Sequence, residues 1–199
     1  MNRDFVSAGE SDPIAVFRGW LAEAEITEIN DPNAVALATA TREGVPSVRM
    51  VLLKQVDARG FAFFTNTESQ KGRELTENPV AAMCFHWKTQ GRQVRVEGTV
   101  SELPGVEADA YFESRARGSQ LGAAVSRQSQ PLESRAALVE MVKECEAAFP
   151  GEIPRPGYWG GYVLWPRRVE FWQQGVDRLH DRMVFVREAD GWVGTRLFP

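Results

Sequence analysis

Five short β-rich runs follow one another between residues 34 and 103, and their close spacing excludes most architectures. Turn sequences that contain glycine separate several of the runs, at residues 42–44, 57–60 and 89–91. Strands joined by so few residues pair antiparallel, because a parallel connection needs a crossover helix. The pattern therefore predicts an antiparallel meander or barrel. The runs are 34–41, 47–56, 61–66, 80–87 and 93–103.

Helical patterns surround these strands, and further strands follow them. Asp12 and Pro13 have the residue types of an N-cap and a first helical position, and they open a helix that ends before Asp31. The outline is therefore a barrel of the α+β class, in which the last strands complete the sheet that the first strands begin. Further helices are predicted at 69–77, 104–115, 121–125 and 132–149, and further strands at 162–164, 168–173, 181–187 and 191–197.

Length and composition agree with one ordinary domain. The chain has 199 residues, enough for a single core over 12–199, after a polar segment at 1–11 that we expect to be a mobile arm. The formal charge of −4 argues against a nucleic-acid partner. No stretch resembles a membrane span or a signal peptide, so a cytoplasmic location is expected. Cys84 and Cys145 lack metal or redox spacing, and we interpret them as buried structural thiols.

The C-terminal part carries two guanidiniums and an imidazole at alternate positions, namely Arg178, His180 and Arg182. If this segment were a β-strand, the three side chains would project from one face. Guanidinium pairs with phosphate and stacks on rings, so such a face would suit a planar anionic ligand. A solvated basic edge strand explains the same spacing equally well.

Two further segments have the features of an anion site. Arg49 and Lys54 bracket an apolar strand, and a bound phosphate would neutralise them; the alternative is that both reach solvent. Residues 65–71 lead from a strand into a helix and offer hydroxyls, free N–H groups and Lys71 at the helix N-terminus. Ordinary capping by Ser69 explains this second segment equally well.

The middle of the chain adds more polar groups. Tyr111, Arg115 and Ser119 are four residues apart, and on a continuous helix they would form one face that could cradle a phosphate. The alternative is a helix C-terminus, where arginines interact favourably with the negative end of the helix dipole. The amides and hydroxyls of Gln93 and of residues 126–130 suit the edge of a heterocyclic ring. The two histidines are too few for a metal site, and no zinc, P-loop or dinucleotide motif is present.

Taken together, these segments resemble the pyridoxamine 5′-phosphate oxidase family, in unbroken order from residue 12 to residue 199. The resemblance implies a homodimeric split β-barrel with FMN at the subunit interface. It also implies oxidation of pyridoxine or pyridoxamine 5′-phosphate to pyridoxal 5′-phosphate in vitamin B6 metabolism, with dioxygen reduced to hydrogen peroxide. The matching segments are 49–54, 65–66, 69–71, 92–94, 111–115, 119–123, 126–129 and 169–182.

The resemblance also implies roles for individual residues. Arg178 and His180 face the pyridine ring as the catalytic pair, and the flavin contacts from Gln128 and Ser129 come from the other subunit. The substrate phosphate is held by Lys54, Tyr111, Arg115 and Ser119. The flavin is held by Arg49, Met50, Val51, Leu52, Leu53, Lys54, Phe64, Thr65, Gln70, Lys71, Gln93, Gln128, Ser129, Trp172 and Arg182.

Three features depart from the family pattern. Gln70 stands where many members have arginine, Phe64 stands where many have tyrosine, and residues 1–11 contain no counterpart of an N-terminal Arg-x-x-Tyr segment. Residues 70–75 also resemble the flavin oxidases of phenazine biosynthesis, which act on tricyclic carboxylates. A further alternative is a non-catalytic split-barrel protein that binds flavin or pyridoxal phosphate. The phosphate-binding set favours the first interpretation, because a substrate without phosphate has no use for it.

Overall fold

In the computed structural model, which describes residues 5–199, one long strand connects the two parts of a nine-stranded antiparallel sheet. This strand, β7 (Trp159–Gln173), pairs along one edge with β6 (Arg92–Glu102). Along its other edge it pairs first with β4 (Gly60–Asn66) and then with β8 (Asp181–Glu188). The remaining strands are β1 (Ala34–Ala40), β2 (Pro46–Leu52), β3 (Gln55–Asp57), β5 (Val80–Trp87) and β9 (Gly191–Arg196).

The sheet order is β2-β1-β5-β6-β7-β4-β3, and β8 and β9 extend it from β7. The predicted antiparallel barrel of the α+β class is therefore confirmed, and the strands near the C-terminus do complete the sheet begun by the first ones. Its flanking helices are α1 (Pro13–Thr27), α2 (Gln70–Glu77), α3 (Gly105–Glu113), α4 (Arg117–Val125) and α5 (Arg135–Ala148).

Side-chain caps account for where several helices begin. The Asp12 carboxylate accepts hydrogen bonds from the N–H groups of Ile14 and Ala15, as the N-cap pattern predicts. Helix α5 begins at residue 135 rather than 132, because Ser134 supplies its N-cap and accepts from the N–H of Ala137. Helix α4 begins at residue 117, earlier than the predicted 121.

The core lies between α1 and the inner face of the sheet. Phe17 of α1 is fully buried, and its ring centroid lies 4.8 Å from that of Phe61 and 4.8 Å from that of Phe85. Strand β1 alternates buried and half-buried positions, as expected for a strand with one face on the core. The opposite faces of these strands do not pack on this core and are available for a binding site.

Strand β7 was predicted as two strands, and this prediction is wrong. Proline has no N–H for the ladder, so the sequence pattern breaks at Pro166. In the structure the register shifts between Glu97 and Gly98, which pair with Arg168 and Pro166, and the bulge accommodates the proline. A Cβ on Gly98 would lie 2.0 Å from the carbonyl oxygen of Trp165, so this close approach requires glycine.

The run at 47–56 was predicted as one strand and forms two. Strand β2 ends at Leu52, where the chain leaves β1 and turns towards β4. The N–H of Leu53 still donates to the carbonyl of Asn33, but the N–H of Lys54 donates to the carbonyl of Ala62 on β4. The bend carries Lys54 away from the core and leaves Leu53 buried within it.

Two smaller predictions concern the thiols and the N-terminal arm. Cys84 and Cys145 are half-buried rather than buried; Cys145 lies on α5, which has no buried residue. Residues 5–11 form neither helix nor strand, but Val6 is buried and the Phe5 ring lies 6.3 Å from that of Trp20. Residues 1–4 lie outside the described residues, and the mobility of 1–11 stays a prediction. Among the described residues, no helix is both long enough and apolar enough to cross a membrane.

Candidate active site

A cavity of about 970 Å³ opens between β2, β4, α2 and the residues around α4. Most of the residues predicted to bind the flavin or the substrate phosphate line it, although they come from segments far apart in the sequence. Leu53 does not line it, because its side chain belongs to the core. The predicted residues that line the cavity are Arg49, Met50, Val51, Leu52, Lys54, Phe64, Thr65, Gln70, Lys71, Tyr111, Arg115, Ser119, Gln128 and Ser129.

Lys71 forms the cationic centre at one end of this cavity. It lies in the first turn of α2, where Ser69 caps the helix and accepts from the N–H of Gly72. Its Nζ donates to Gln128 Oε1 at 2.5 Å, to Thr65 Oγ1 at 3.1 Å and to Ser69 Oγ at 3.2 Å. Ser69 therefore caps the helix while the same helix end presents an ammonium group. Capping by Ser69 and a cationic helix end suited to an anion are thus compatible interpretations of this segment.

The surroundings of Lys71 lower the pKa of its ammonium group to about 8. Burial is the larger cause, and the positive charge of Arg49 is the second, while Glu74 acts in the opposite direction. Two cations held so close together are stabilised by an anion, and among residues 5–199 the hydrogen-bond partners of Lys71 Nζ include no carboxylate. This end of the cavity is thus suited to a phosphate.

Arg49 is the second cation, and its guanidinium is fixed on several sides. Its Nη1 donates to Thr39 Oγ1 at 2.5 Å and to the Leu37 carbonyl at 3.2 Å. Its Nη2 donates to Ser47 Oγ at 2.5 Å and lies 3.3 Å from Glu74 Oε2. Arg49 thus lines the cavity with its orientation set by the protein. Lys54, by contrast, is exposed to solvent, with its Nζ 5.8 Å from the Tyr111 ring centroid.

Arg115 lines the same cavity from the break between α3 and α4, and one of its polar atoms lacks a partner among the described residues. Its Nη1 is buried and makes no hydrogen bond to any described residue. Burial lowers the pKa of Arg115 below its usual value. Its guanidinium carbon lies 4.9 Å from the Trp159 ring centroid, so the group is held on an aromatic surface. A buried N–H donor of this kind is costly unless a ligand accepts its hydrogen bond.

Tyr111, Arg115 and Ser119 do not share one continuous helix, so they do not form a single helix face, and the predicted break after α3 is present. Helix α3 ends at Glu113 and α4 begins at Arg117. All three side chains nevertheless line the cavity, because the break between the helices spans only residues 114–116. The Tyr111 ring stacks on Phe64 with centroids 4.2 Å apart.

The remaining predicted residues form a second group at one end of the sheet, which we call the strand-end group: Gln93, Trp172, Arg178, His180 and Arg182. Gln93 pairs with Trp172 between β6 and β7, and Trp172 pairs with Arg182 between β7 and β8. The ring centroids of Trp172 and His180 are 4.6 Å apart. None of these residues lines the cavity of their own chain.

Arg178, His180 and Arg182 do not alternate along one strand, so that prediction is wrong. Arg178 ends a 3₁₀ turn, Val176–Arg178, with φ of 63°, and β8 begins only at Asp181. The turn is tight because Gly175 packs against the carbonyl of Leu179, where a Cβ would lie 1.9 Å from the oxygen. The alternative of a solvated basic edge strand is also wrong for Arg182, since β8 pairs on both sides.

A buried carboxylate holds Arg182 in the strand-end group. Glu170 is 3% exposed, and its Oε1 accepts from Arg182 Nη2 at 2.7 Å and from Arg182 Nε at 2.9 Å. Its Oε2 accepts from Arg168 at 2.9 Å and lies 3.1 Å from Arg95. Sequence reasoning placed Glu170 in the family motif without a role.

Other functional residues were missed altogether. Asn66 lines the cavity, and Trp159 lines it from a segment that was predicted as loop. Glu74 lies next to the cavity, where it accepts a hydrogen bond from Arg49. The signal for Glu74 was its spacing, four residues after Gln70, which places both on one helix face. Gln128 and Ser129 were expected to reach the flavin from the other subunit. In this chain Gln128 accepts a hydrogen bond from Lys71, and both residues line the cavity of their own chain, so the structure does not support that expectation.

The curled sheet defines a split β-barrel protein, and its cavity is lined by several cationic side chains. A solved structure of the same fold is described as a pyridoxamine 5′-phosphate oxidase-related, FMN binding protein from Nostoc punctiforme. It superposes with a TM-score of 0.76 and covers 96% of this chain and 100% of that chain. Its sequence identity is 14%, so this likeness supports the fold alone.

Sequence comparison gives the family. Residues 22–148 match the profile described as pyridoxamine 5′-phosphate oxidase. Residues 159–199 match the profile described as the pyridoxine 5′-phosphate oxidase C-terminal dimerisation region. The chain therefore belongs to the pyridoxamine 5′-phosphate oxidase family, and the predicted resemblance is confirmed.

Individual relatives cover almost the whole chain. A protein of Anaeromyxobacter dehalogenans named pyridoxine/pyridoxamine 5′-phosphate oxidase is 60% identical over 189 residues, which are 94% of this chain and 96% of the relative. One of the same name from Gluconobacter oxydans is 53% identical over 96% of both chains. A solved structure of PhzG from Burkholderia lata, in complex with tetrahydrophenazine-1-carboxylic acid, is 35% identical with a TM-score of 0.93, and covers 100% of this chain and 98% of that chain.

Proposed function

We propose that this protein is an FMN-dependent oxidase that converts pyridoxine or pyridoxamine 5′-phosphate to pyridoxal 5′-phosphate and reduces dioxygen to hydrogen peroxide. The family and the names of relatives at 53% to 60% identity agree on this activity, and FMN is the cofactor that the family resemblance implies. The observation that carries the assignment of the substrate is the buried, unpaired Nη1 of Arg115. A phosphate held there completes the hydrogen bonds of a group that the fold leaves without a partner.

The cavity has two places for a phosphate, as a flavin mononucleotide and a phosphorylated substrate require. Arg49, Lys71 and the Thr65 hydroxyl surround the first, and Arg115 with Tyr111 and Ser119 surrounds the second. The donor set at the first suits the FMN phosphate, because it combines two cations with a helix N-terminus. When bound, FMN supplies the redox chemistry, accepting a hydride from the substrate and passing electrons to dioxygen.

The residues of this chain then bind and orient the reactants. Arg115 and Lys54 neutralise the substrate phosphate, while Tyr111 stacks on Phe64 and narrows the cavity beside it. No activated nucleophile is required, since the protein contributes positioning and charge neutralisation.

The catalytic pair is supplied by a second subunit in this proposal. Arg178 and His180 do not line the cavity of their own chain, and neither do Gln93, Trp172 or Arg182. Most of these residues lie in the segment that matches the family's dimerisation region. One feature supports a subunit contact next to the cavity: the apolar side chains of Val48 and Met50 on the edge strand β2 are 69% and 62% exposed. We therefore place the flavin at the interface of a homodimer, with each cavity completed by the partner subunit's strand-end group.

A second candidate is a phenazine-type flavin oxidase. The likeness to PhzG, whose solved complex holds tetrahydrophenazine-1-carboxylic acid, favours it. Against it, the relatives named pyridoxine/pyridoxamine 5′-phosphate oxidase are 53% to 60% identical to this chain, whereas PhzG is 35% identical. A cytoplasmic location remains part of the proposal.

An assay under air separates the candidates. The purified holoenzyme should be yellow, consume oxygen and form hydrogen peroxide with pyridoxine or pyridoxamine 5′-phosphate. Oxidation of a dihydrophenazine carboxylate with both B6 vitamers left unchanged favours the second candidate. Flavin binding without turnover of any of these compounds favours a non-catalytic carrier.

A further inference from the structure

Glu74 is a buried carboxylate next to the cationic end of the cavity, and the proposed reaction does not use it. It is 5% exposed, lies on α2 and is not among the residues that line the cavity. Its Oε2 accepts from Thr39 Oγ1, from Ser47 Oγ at 2.6 Å and from Arg49 Nη2 at 3.3 Å, and its Oε1 accepts from Gln70 Nε2 at 2.9 Å. One carboxylate thus connects β1, β2 and α2.

The hydroxyls of Thr39 and Ser47 link Glu74 to Arg49. Each hydroxyl accepts a hydrogen bond from Arg49, at 2.5 Å in both cases, and donates its single hydrogen to Glu74. Since a hydroxyl has one hydrogen, donation to Glu74 leaves its lone pairs for the guanidinium. The direction of the whole network therefore depends on an acceptor-only group at position 74.

Glu74 remains ionised in this environment. Burial alone would raise the pKa of its carboxyl group, but the hydrogen bonds from Ser47, Thr39 and Gln70 and the charge of Arg49 lower the pKa to about 2. The carboxylate accordingly accepts hydrogen bonds at any pH at which the enzyme is handled. Its charge is offset locally by Arg49 and by three neutral donors, so its main effect is on orientation.

We propose that Glu74 is a positioning residue for the flavin phosphate, which acts by holding Arg49 and Gln70 in the orientation that the phosphate meets. The inference rests on the proposed placement of that phosphate at Arg49 and Lys71. Gln70 and Arg49 both line the cavity, whereas Glu74 and Thr39 do not. An effect of the uncharged Thr39 on phosphate binding must therefore pass through the residues that it holds, whereas Glu74 also acts on Lys71 through its charge.

The test is Glu74→Gln, which keeps the shape of the side chain but introduces an amide donor. The amide NH2 must face either the two hydroxyls, which reverses one of them, or Gln70, which reverses the Gln70 amide, and in both cases Arg49 loses its negatively charged partner. We expect the Kd for FMN to rise about tenfold, as for loss of one charge-assisted hydrogen bond. The Kd for riboflavin, which lacks the phosphate, should stay unchanged. Both constants are measured by flavin fluorescence quenching on the full chain freed of flavin.

Two further variants control this measurement. Glu77→Gln makes the same change at an exposed position of the same helix and should leave both constants unchanged. Thr39→Val removes one linking hydroxyl with little change in volume, and it decides the question alone if Glu74→Gln does not fold. We expect Thr39→Val to weaken FMN selectively and its effect to be less than additive with that of Glu74→Gln.

Equal losses for FMN and riboflavin would show a merely structural role and overturn the inference, as would unchanged or tighter FMN binding. Lys71→Met separates this failure from failure of the proposed site. If Lys71→Met weakens FMN but not riboflavin while Glu74→Gln affects neither, only the role of Glu74 is wrong. If Lys71→Met also fails to distinguish the two flavins, the phosphate is not bound at Lys71.

Discussion

Lys71 Nζ lies 2.5 Å from Oε1 of Gln128, a residue 57 positions further along the chain. This contact ties the N-terminal turn of α2 to the segment that follows α4, and it closes one end of the cavity. An amide oxygen satisfies a buried ammonium group without neutralising it, so the positive charge stays available to an anion.

The lowered pKa of Lys71 predicts that FMN affinity depends on pH. A phosphate favours the protonated lysine, so affinity is highest below about pH 8 and falls as the pH rises through the pKa of about 8. Arg49 and Glu74 are the charged groups that influence the pKa of Lys71. The Kd for FMN should be measured from about pH 7 upwards, where the FMN phosphate is already doubly ionised. Lys71→Arg keeps the charge over this range and should flatten the profile. If the Kd for FMN rose equally steeply with pH in the wild type and in Lys71→Arg, the assignment of Lys71 to the flavin phosphate would be contradicted.

Arg115→Lys tests the substrate phosphate site. Lysine keeps the charge but loses the planar guanidinium that lies over Trp159 and offers the unpaired Nη1. We expect KM for pyridoxine 5′-phosphate to rise about tenfold or more, with flavin content unchanged. Steady-state kinetics and the absorbance of bound flavin measure the two effects. Arg135→Lys, at an exposed position of α5, is the matched control; loss of flavin from Arg115→Lys would place this residue at the cofactor instead.

Mixing two inactive variants tests whether each site draws on both subunits. Arg115→Gln damages the cavity, and His180→Ala damages the strand-end group, so each homodimer should be inactive. Hybrid dimers formed by co-expression contain one intact site of two, and about half of a random mixture is hybrid, so about a quarter of the wild-type activity should return. Hybrids isolated with two different tags but without activity would show that both residues serve a site within one chain.

His180→Ala and Arg178→Ala should impair turnover more than flavin retention, whereas Lys71→Met should do the reverse. The reason is that Arg178 and His180 are assigned to the pyridine ring, and Lys71 to the flavin phosphate. Oxygen consumption and the flavin content after gel filtration check the two effects. Equal effects of both kinds of variant on both readouts would mean that the two subsites are wrongly assigned.

Glu170→Ala should destabilise the protein. The buried carboxylate pairs with Arg182, Arg168 and Arg95, and its removal leaves Arg182 at 25% exposure without its counter-ion. A loss of about 3 kcal/mol in the free energy of unfolding is expected, as for breaking a buried ion pair. Chemical denaturation measures this loss. Glu188→Ala, at an exposed position of β8, should change the stability little.

Much of the secondary structure could be predicted from the sequence, because the patterns that specify it are local. Alternation along β1, glycine-containing turns and the Asp12 cap depend on neighbouring residues, and each was predicted at its place. The errors arose where distant contacts decide. Pro166 looks like a strand break until the bulge at Gly98 is seen, and residues 178–182 look like a strand until the turn at Gly175 is seen.

The amino-acid sequence by itself determined most of the sheet-forming segments, the family and many of the residues that line the cavity, since these follow from residue types and their order. The tertiary structure alone decided how those residues are grouped. It placed Gln128 beside Lys71, left Arg115 Nη1 without a partner and kept the strand-end group out of the cavity. The physical reason is that hydrogen-bond partners and burial depend on segments far apart in the chain, whose approach no local pattern records.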